Sequence, residues 1–168
     1  MRYFIDTEFI ENGPKHPVHL ISIGIKCEDG REYYADNEDC PLHLANDWVK
    51  ENVIPKLHAS RAMPRYMIAQ DVLKFIMDGD DKPSFWGYFA DYDWVVFAQL
   101  FGCMVDIPHS WPKYCLDLKQ VWKMLGGSVK LPPDPAEEHH ALDDARWNFE
   151  AWKVLNDKWR GIFPGDLP

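Results

Sequence analysis

The stretch VHLISIGIKCEDGREYYAD, residues 18–36, reads as two strands joined by a turn. Residues 18–26 carry the alternation of a half-buried strand through Leu20, Ser22, Ile23 and Ile25. Glu28-Asp29-Gly30 supplies the Asp-Gly signal of a hairpin, and residues 31–36 form the returning strand. Upstream, RYFID at residues 2–6 is a short apolar strand, so the chain opens as an antiparallel meander. Downstream the period lengthens. Residues 44–54 and 65–78 hold apolar side chains at helical spacing, Met67, Val72, Phe75 and Ile76 among them, and the second run stops at Asp78-Gly79. SFWGYF at 84–89 predicts an aromatic strand that feeds directly into a helix over 91–101. A further helix is expected over 116–125, stopped by Gly126-Gly127. After a proline-rich loop at 131–135, a long amphipathic helix is expected over 140–159. Strands followed by alternating helices and strands predict an α/β fold, a mixed sheet flanked by helices. A length of 168 residues suits one domain over 1–168.

The hydrophobic fraction of 46% and eight tryptophans exclude a disordered chain. No run reaches the roughly 18 apolar residues of a membrane span, and acids at positions 6 and 8 exclude a signal peptide at the N-terminus. A cytoplasmic protein is therefore expected. Cys27, Cys40, Cys103 and Cys115 form no C-x-x-C pair, so they are read as reduced, with Cys27 and Cys103 in apolar surroundings. The net charge of −9 weighs against a nucleic-acid partner. A carboxylate metal site would account for part of it, since bound cations reverse the local field. Basic residues also gather at Lys56, Arg61 and Arg65 and at Lys113, Lys119, Lys123 and Lys130, either as solvated surface or as a phosphate footprint.

Three acidic elements stand at the edges of expected core elements. Asp6 and Glu8 end the first strand, where residues i and i+2 share a face and both carboxylates converge. The D-x-E pattern alone is weak, and Asp36-Asn37-Glu38 repeats it in what reads as an ordinary turn. Asp6 and Glu8 differ in closing an apolar strand, where unpaired charge is costly unless a cation is held. Asp91 and Asp93 open the helix over 91–101. Asp91 suits an N-cap, which leaves Asp93 as the candidate ligand. Asp144 lies in HHALDDA (residues 139–145), where Ala141 and Ala145, four apart, permit a close helix contact. His139 lies just outside that helix, within reach of the same place. Hydrolysis of a phosphodiester by two divalent cations about 3.5–4 Å apart needs such a set of hard oxygen ligands. A histidine with an ordinary pKa near 6.5 suits the proton from the attacking water.

Asp6-x-Glu8, Tyr92-Asp93 and His139-x-x-x-x-Asp144 together resemble the DEDDh 3′-5′ exonucleases of the ribonuclease H-like superfamily. MRYFIDTEFIENG, HLISIGIKCEDGREYYA and ADYDWVVFAQLFG are similar, more narrowly, to the bacterial polyadenylate-specific 3′-exoribonuclease AS family. The resemblance runs from Met1 to about Asn148 and is weakest over 37–83. It implies a ribonuclease H-like sheet, two Mg²⁺ ions (with Mn²⁺ able to substitute), release of nucleoside 5′-monophosphates from the 3′ end of single-stranded RNA, and a homodimer. It also implies that Asp6, Glu8, Asp93 and Asp144 are the metal ligands and His139 the general base, with Asp91 and Asp143 as supporting acids. Phe9 is the candidate to stack on the terminal base, Tyr114 and Trp111 are further aromatic candidates, and His19 and Leu20 lie on the strand nearest the terminal nucleotide in that family. The chain departs from the pattern at two places. Ala90-Asp91 stands where many relatives have an asparagine, and His19 stands where a glutamate usually precedes Leu-Ile-Ser-Ile-Gly. A DNA or short-oligonucleotide 3′-exonuclease, and a catalytically silent module that binds RNA or protein, are the competing readings.

Overall fold

The computed structural model describes residues 1–79, 82–135 and 138–167. Six strands form one sheet: β1 (Arg2–Ile10), β2 (His19–Cys27), β3 (Glu32–Asn37), β4 (Ala62–Met63), β5 (Ser84–Gly87) and β6 (Leu116–Asp117). Their order across the sheet is β4-β3-β2-β1-β5-β6. β1–β2 and β2–β3 pair antiparallel, whereas β1–β5, β5–β6 and β3–β4 pair parallel. The mixed α/β sheet expected from the sequence is present. The Asp-Gly turn closes as read, with Gly30 N donating to Cys27 O at 3.1 Å and Asp29 accepting from Arg31 N and Nε.

The helices are α1 (Asp47–Asn52), α2 (Arg65–Met77), α3 (Asp91–Leu100), α4 (Leu118–Met124) and α5 (Ala141–Arg160). They cover the sheet according to strand alternation. From β1, Tyr3 and Ile5 face a core shared with Val72 and Ile76 of α2 and Val96 and Phe97 of α3. Phe4 faces the opposite way and packs on Phe149 and Trp152 of α5, with ring centroids 5.1 and 5.9 Å apart. β1 is therefore covered on both faces, and this explains why its sequence is an unbroken apolar run before Asp6.

Several expectations are corrected. The helix expected over 44–54 is only the six residues of α1, with 3₁₀ turns on either side: extended Asn46 caps its start by accepting from Val49 N, and Pro55 lies in the 3₁₀ turn that follows it. The helix expected over 116–125 starts at Leu118, since Leu116 and Asp117 pair with Trp86 and Gly87 as β6. Asp36 is not in a turn. It lies within β3, paired with Ser22 and Ala62, is buried, and accepts from Tyr34 Oη and from His58 N. Cys27 is buried, but Cys103 is exposed. Ala90, not Asp91, is the N-cap of α3. Among the described residues, no helix is long and apolar enough to cross a membrane.

Candidate active site

Asp6 and Glu8 follow Phe4 on one face of β1 and so project toward α5, while Thr7 turns to the other face. A bulge between Glu8 and Phe9 shifts the register with β2, which resumes at Phe9 opposite Leu20, and bulges of this kind re-aim the side chains beside them. α5 crosses β1 very closely. Asp6 pairs with Gly24 of β2, and a Cβ at Gly24 would lie 2.2 Å from the Ala141 carbonyl oxygen. Only glycine at 24, with fully buried Ala141 and Ala145 on the helix, permits this approach. Asn148, one turn beyond Asp144, donates to the Ile5 carbonyl at 3.0 Å and fixes the helix over the strand. As a result Asp6, Glu8 and Asp144 each offer an oxygen within 4.8 Å of the others.

Asp93 reaches the same cleft from the first turn of α3. Thr7 N and Thr7 Oγ1 both donate to Asp93 Oδ1, at 2.8 and 2.7 Å. The residue between Asp6 and Glu8 thus anchors the fourth acid. The cleft has a volume of ≈ 360 Å³, and its lining includes Asp6, Thr7, Glu8, Asp93, His139 and Asp144, with Phe9, Tyr88, Phe89 and Trp147 as aromatic walls.

Burial is the largest influence on all four carboxyls. It pushes Asp6 well above the usual carboxylate range, and the charges of Asp93, Asp144 and Glu8 add to that. Glu8 is pushed up to about 8 by burial and then by Asp144 and Asp93, with Lys56 opposing. Asp93 rises to about 6 against the hydrogen bonds from Thr7, and Asp144 rises to about 6 against one from the His139 backbone N–H. Without a cation these groups repel one another, and each keeps its proton to a higher pH than a free carboxyl does. A cluster of hard oxygen donors in a half-buried cleft fits divalent cations such as Mg²⁺ or Mn²⁺.

The two neighbouring histidines part ways. His139 lines the cleft, is 39% exposed in its side chain, and meets Trp48 edge-on at 4.8 Å. Its φ of +64° places it in the left-handed region, where histidine is among the better-tolerated residues. His140 is buried, stacked on Tyr34 at 4.5 Å and edge-on to His58 at 5.3 Å. Its Nδ1 lies 3.0 Å from Asp143 Oδ2, but without hydrogen-bond alignment. Asp143 also takes Arg146 Nη1 at 2.6 Å, and Arg146 pairs with Glu32. Arg146 therefore ties α5 to β3, with Asp143 holding its guanidinium from the same helix. Asp91 is exposed and borders a separate hollow.

Of the expected substrate contacts, Phe9 lies in the cleft and stacks on Tyr92 at 5.3 Å. His19 sits opposite Ile10 on β2 and is not among the lining residues. Leu20 is buried in the core beneath the sheet, because strand alternation turns it inward. Tyr114 is exposed and borders the separate hollow beside Asp91 and Trp94, and Trp111 is buried among Phe85, Phe97 and Phe101. Sequence reasoning missed the placement of Lys56, whose Nζ donates to the Glu138 carbonyl and whose charge acts on Glu8 and Asp144. It also missed Tyr88, Phe89 and Trp147. No local pattern announces them, since they come from a short loop and a helix face that ordinary packing would equally well explain.

Fold and cleft together define an α/β protein with a carboxylate centre where its central strand β1 meets α3 and α5. The chain belongs to the 3′-5′ exoribonuclease Rv2179c-like domain family, whose sequence pattern matches residues 1–156. It is 39% identical over 168 residues to the 3′-5′ exoribonuclease Rv2179c of Mycobacterium tuberculosis (strain ATCC 25618 / H37Rv), covering 96% of this chain and 98% of that protein. The same figures hold for the 3′-5′ exoribonuclease MT2234.1 of Mycobacterium tuberculosis (strain CDC 1551 / Oshkosh).

Proposed function

We propose that the protein is a two-cation 3′-5′ exoribonuclease of the DEDDh kind on a ribonuclease H-like fold, trimming single-stranded RNA to nucleoside 5′-monophosphates. The observation that carries this reading is the convergence of Asp6, Glu8 and Asp144 within 4.8 Å, in a chain of an exoribonuclease family. In this reading Asp6, Glu8, Asp93 and Asp144 hold two Mg²⁺ ions. When bound, such ions neutralise the charge that develops on the attacking and leaving oxygens of the phosphodiester.

The protein's own groups do the rest. Thr7 keeps Asp93 aimed into the cleft by occupying one carboxylate oxygen. Gly24, Ala141 and Asn148 keep Asp144 over β1. The His139 imidazole accepts a proton from the attacking water, and its exposure lets that proton pass on to solvent. Phe9, stacked on Tyr92 beside Glu8, supports the 3′-terminal base. The reading covers RNA 3′ ends as a class. His19, the candidate for adenine selection, is not among the cleft-lining residues. The test is product analysis on matched RNA and DNA oligomers with Mg²⁺. Stepwise release of 5′-monophosphates, faster from RNA, is expected. Release from DNA alone, or internal cleavage, would overturn the proposal.

A further inference from the structure

We infer that Phe89, with Tyr88 and Lys119, forms the subsite for the nucleotide preceding the 3′-terminal one. In this subsite the Phe89 ring stacks on the penultimate base and Lys119 faces the phosphate on that nucleotide's 5′ side. The inference rests on the exoribonuclease reading above.

Phe89 has three properties that ordinary packing does not produce together. Its side chain is a large aromatic left 62% exposed. Its backbone holds φ +56°, which for a bulky residue is a costly conformation and one that gathers at functional sites. It lines the same cleft as the four acids. The loop that presents it is closely packed on both sides of Phe89. At Gly87 a Cβ would stand 2.8 Å from Ala90 Cβ and 3.3 Å from the Ile5 carbonyl oxygen, and Ala90 N donates to Asp117 Oδ2 at 2.9 Å. Phe89 is thus pinned at both ends, as a preorganised binding surface requires.

Its neighbours extend the surface. Phe89, Tyr88 and Trp147 form a row of edge-to-face rings, each centroid 5.0 Å from the next. Lys119 donates to Tyr88 Oη at 3.0 Å, and its ammonium lies 5.2 Å from the Phe89 ring and 4.3 Å from Trp122. An ammonium carries three donors, so this cation beside an aromatic platform matches an RNA backbone, a phosphate next to a base.

Position decides which nucleotide it takes. Phe9 continues β1 beyond Glu8 and borders a hollow on the α1 side with Trp48 and Val49. Phe89 follows β5, on the opposite flank of β1, toward β6 and α4. A scissile phosphate held at the acids has one nucleoside on each flank. With the terminal base on Phe9, the Phe89 side receives the penultimate one.

The test measures kcat/KM for single-stranded RNA that is intact, abasic at the penultimate position, or abasic at the 3′ terminus. The wild-type protein is compared with Phe89→Ala and Phe89→Tyr. Stacking of one base predicts a loss of roughly 5- to 150-fold from either the penultimate abasic site or Phe89→Ala. Combining the two adds less than about twofold beyond the larger single loss, as expected when both remove one contact. Phe89→Tyr should retain most of the activity. Lys119→Gln should lower the slope of log kcat/KM against log salt by about 0.7, one phosphate on a single strand. Equal activity of Phe89→Ala and wild type, or a penultimate penalty that persists in full in Phe89→Ala, overturns the inference and leaves the nuclease reading intact. So does loss of the terminal penalty in its place. Absence of any hydrolysis by the wild type overturns both.

Discussion

Replacing Glu8 by glutamine should make the metal-free protein more stable, and by an amount that depends on pH. Burial and the nearby acids raise the Glu8 carboxyl from 4.5 to about 8. At pH 7 the folded chain holds Glu8 mostly protonated while the unfolded chain has ionised it. The cost of that difference is at most about 3.5 kcal/mol, from about 1.4 kcal/mol for each pH unit between 4.5 and 7. Neighbouring acids share the repulsion and solvent enters the cleft mouth, so about 1–3 kcal/mol is the expected gain in Glu8→Gln. For a chain of this size that corresponds to an upward shift in Tm of about 2–12 °C. The sign follows from a raised folded pKa. The native state binds more protons between 4.5 and about 8, so wild-type stability falls as pH rises through that window. The advantage of Glu8→Gln should be near zero at pH 4.5 and largest at pH 8. Thermal melts in EDTA from pH 4.5 to 9 measure it. Added Mn²⁺ should raise the wild-type Tm more than that of the variant, because only the native site binds the ion. A variant that melts at or below wild type in EDTA at pH 8, or with the same offset at pH 4.5 and 8, would refute the reasoning.

Other consequences of the geometry can be checked separately. Gly24→Ala sets a Cβ 2.2 Å from the Ala141 carbonyl oxygen, so it should cost about 1–3 kcal/mol in chemical denaturation and remove most RNA hydrolysis, whereas unchanged turnover would mean that the α5–β2 contact does not position Asp144. His139→Gly should lower turnover by roughly 10²–10⁴ yet melt above His139→Ala, since glycine accepts φ +64° without the strain alanine meets. Turnover of either variant within twofold of wild type would remove His139 as the base. Thr7→Val deletes one of two donors to Asp93; weaker Mn²⁺ binding in a calorimetric titration, with β1 intact by hydrogen exchange, is expected. Because Asp93 and Asp144 titrate near 6 and Glu8 near 8, protons compete with the cation, and Mn²⁺ affinity should increase from pH 6 to pH 8. A flat pH profile would contradict that ligand set.

Much of this was legible because strand and helix periods are strong signals. The meander over 2–36 and the amphipathic α5 carry long patterns, and residues i and i+2 of a strand must share a face, so Asp6 and Glu8 were bound to converge. Ala141 and Ala145 announced the close helix contact, although its counterpart Gly24 looked like any glycine in a strand. The structure gives the two D-x-E copies different roles through their surroundings. Asp36 accepts hydrogen bonds from the Tyr34 hydroxyl and the His58 backbone N–H, while Asp6 faces other acids. Strands of two residues, β4 and β6, have no period to detect. Likewise Leu20 lies on the strand that the family resemblance sets nearest the terminal nucleotide, yet alternation turns its side chain into the core. The parts of the site that come from a short 3₁₀ turn and a loop, Lys56 and Phe89, depend on tertiary placement that no local pattern encodes.

The most direct measurement of the central claim is hydrolysis of a 5′-labelled single-stranded RNA in Mg²⁺ by wild type and Asp6→Asn side by side, with melting curves of both. The account predicts a one-nucleotide ladder shortening from the 3′ end with wild type, abolished by EDTA, and no shortening with a fully folded Asp6→Asn. A folded Asp6→Asn that shortens the RNA at the wild-type rate, or a wild-type ladder that persists in EDTA, would contradict it.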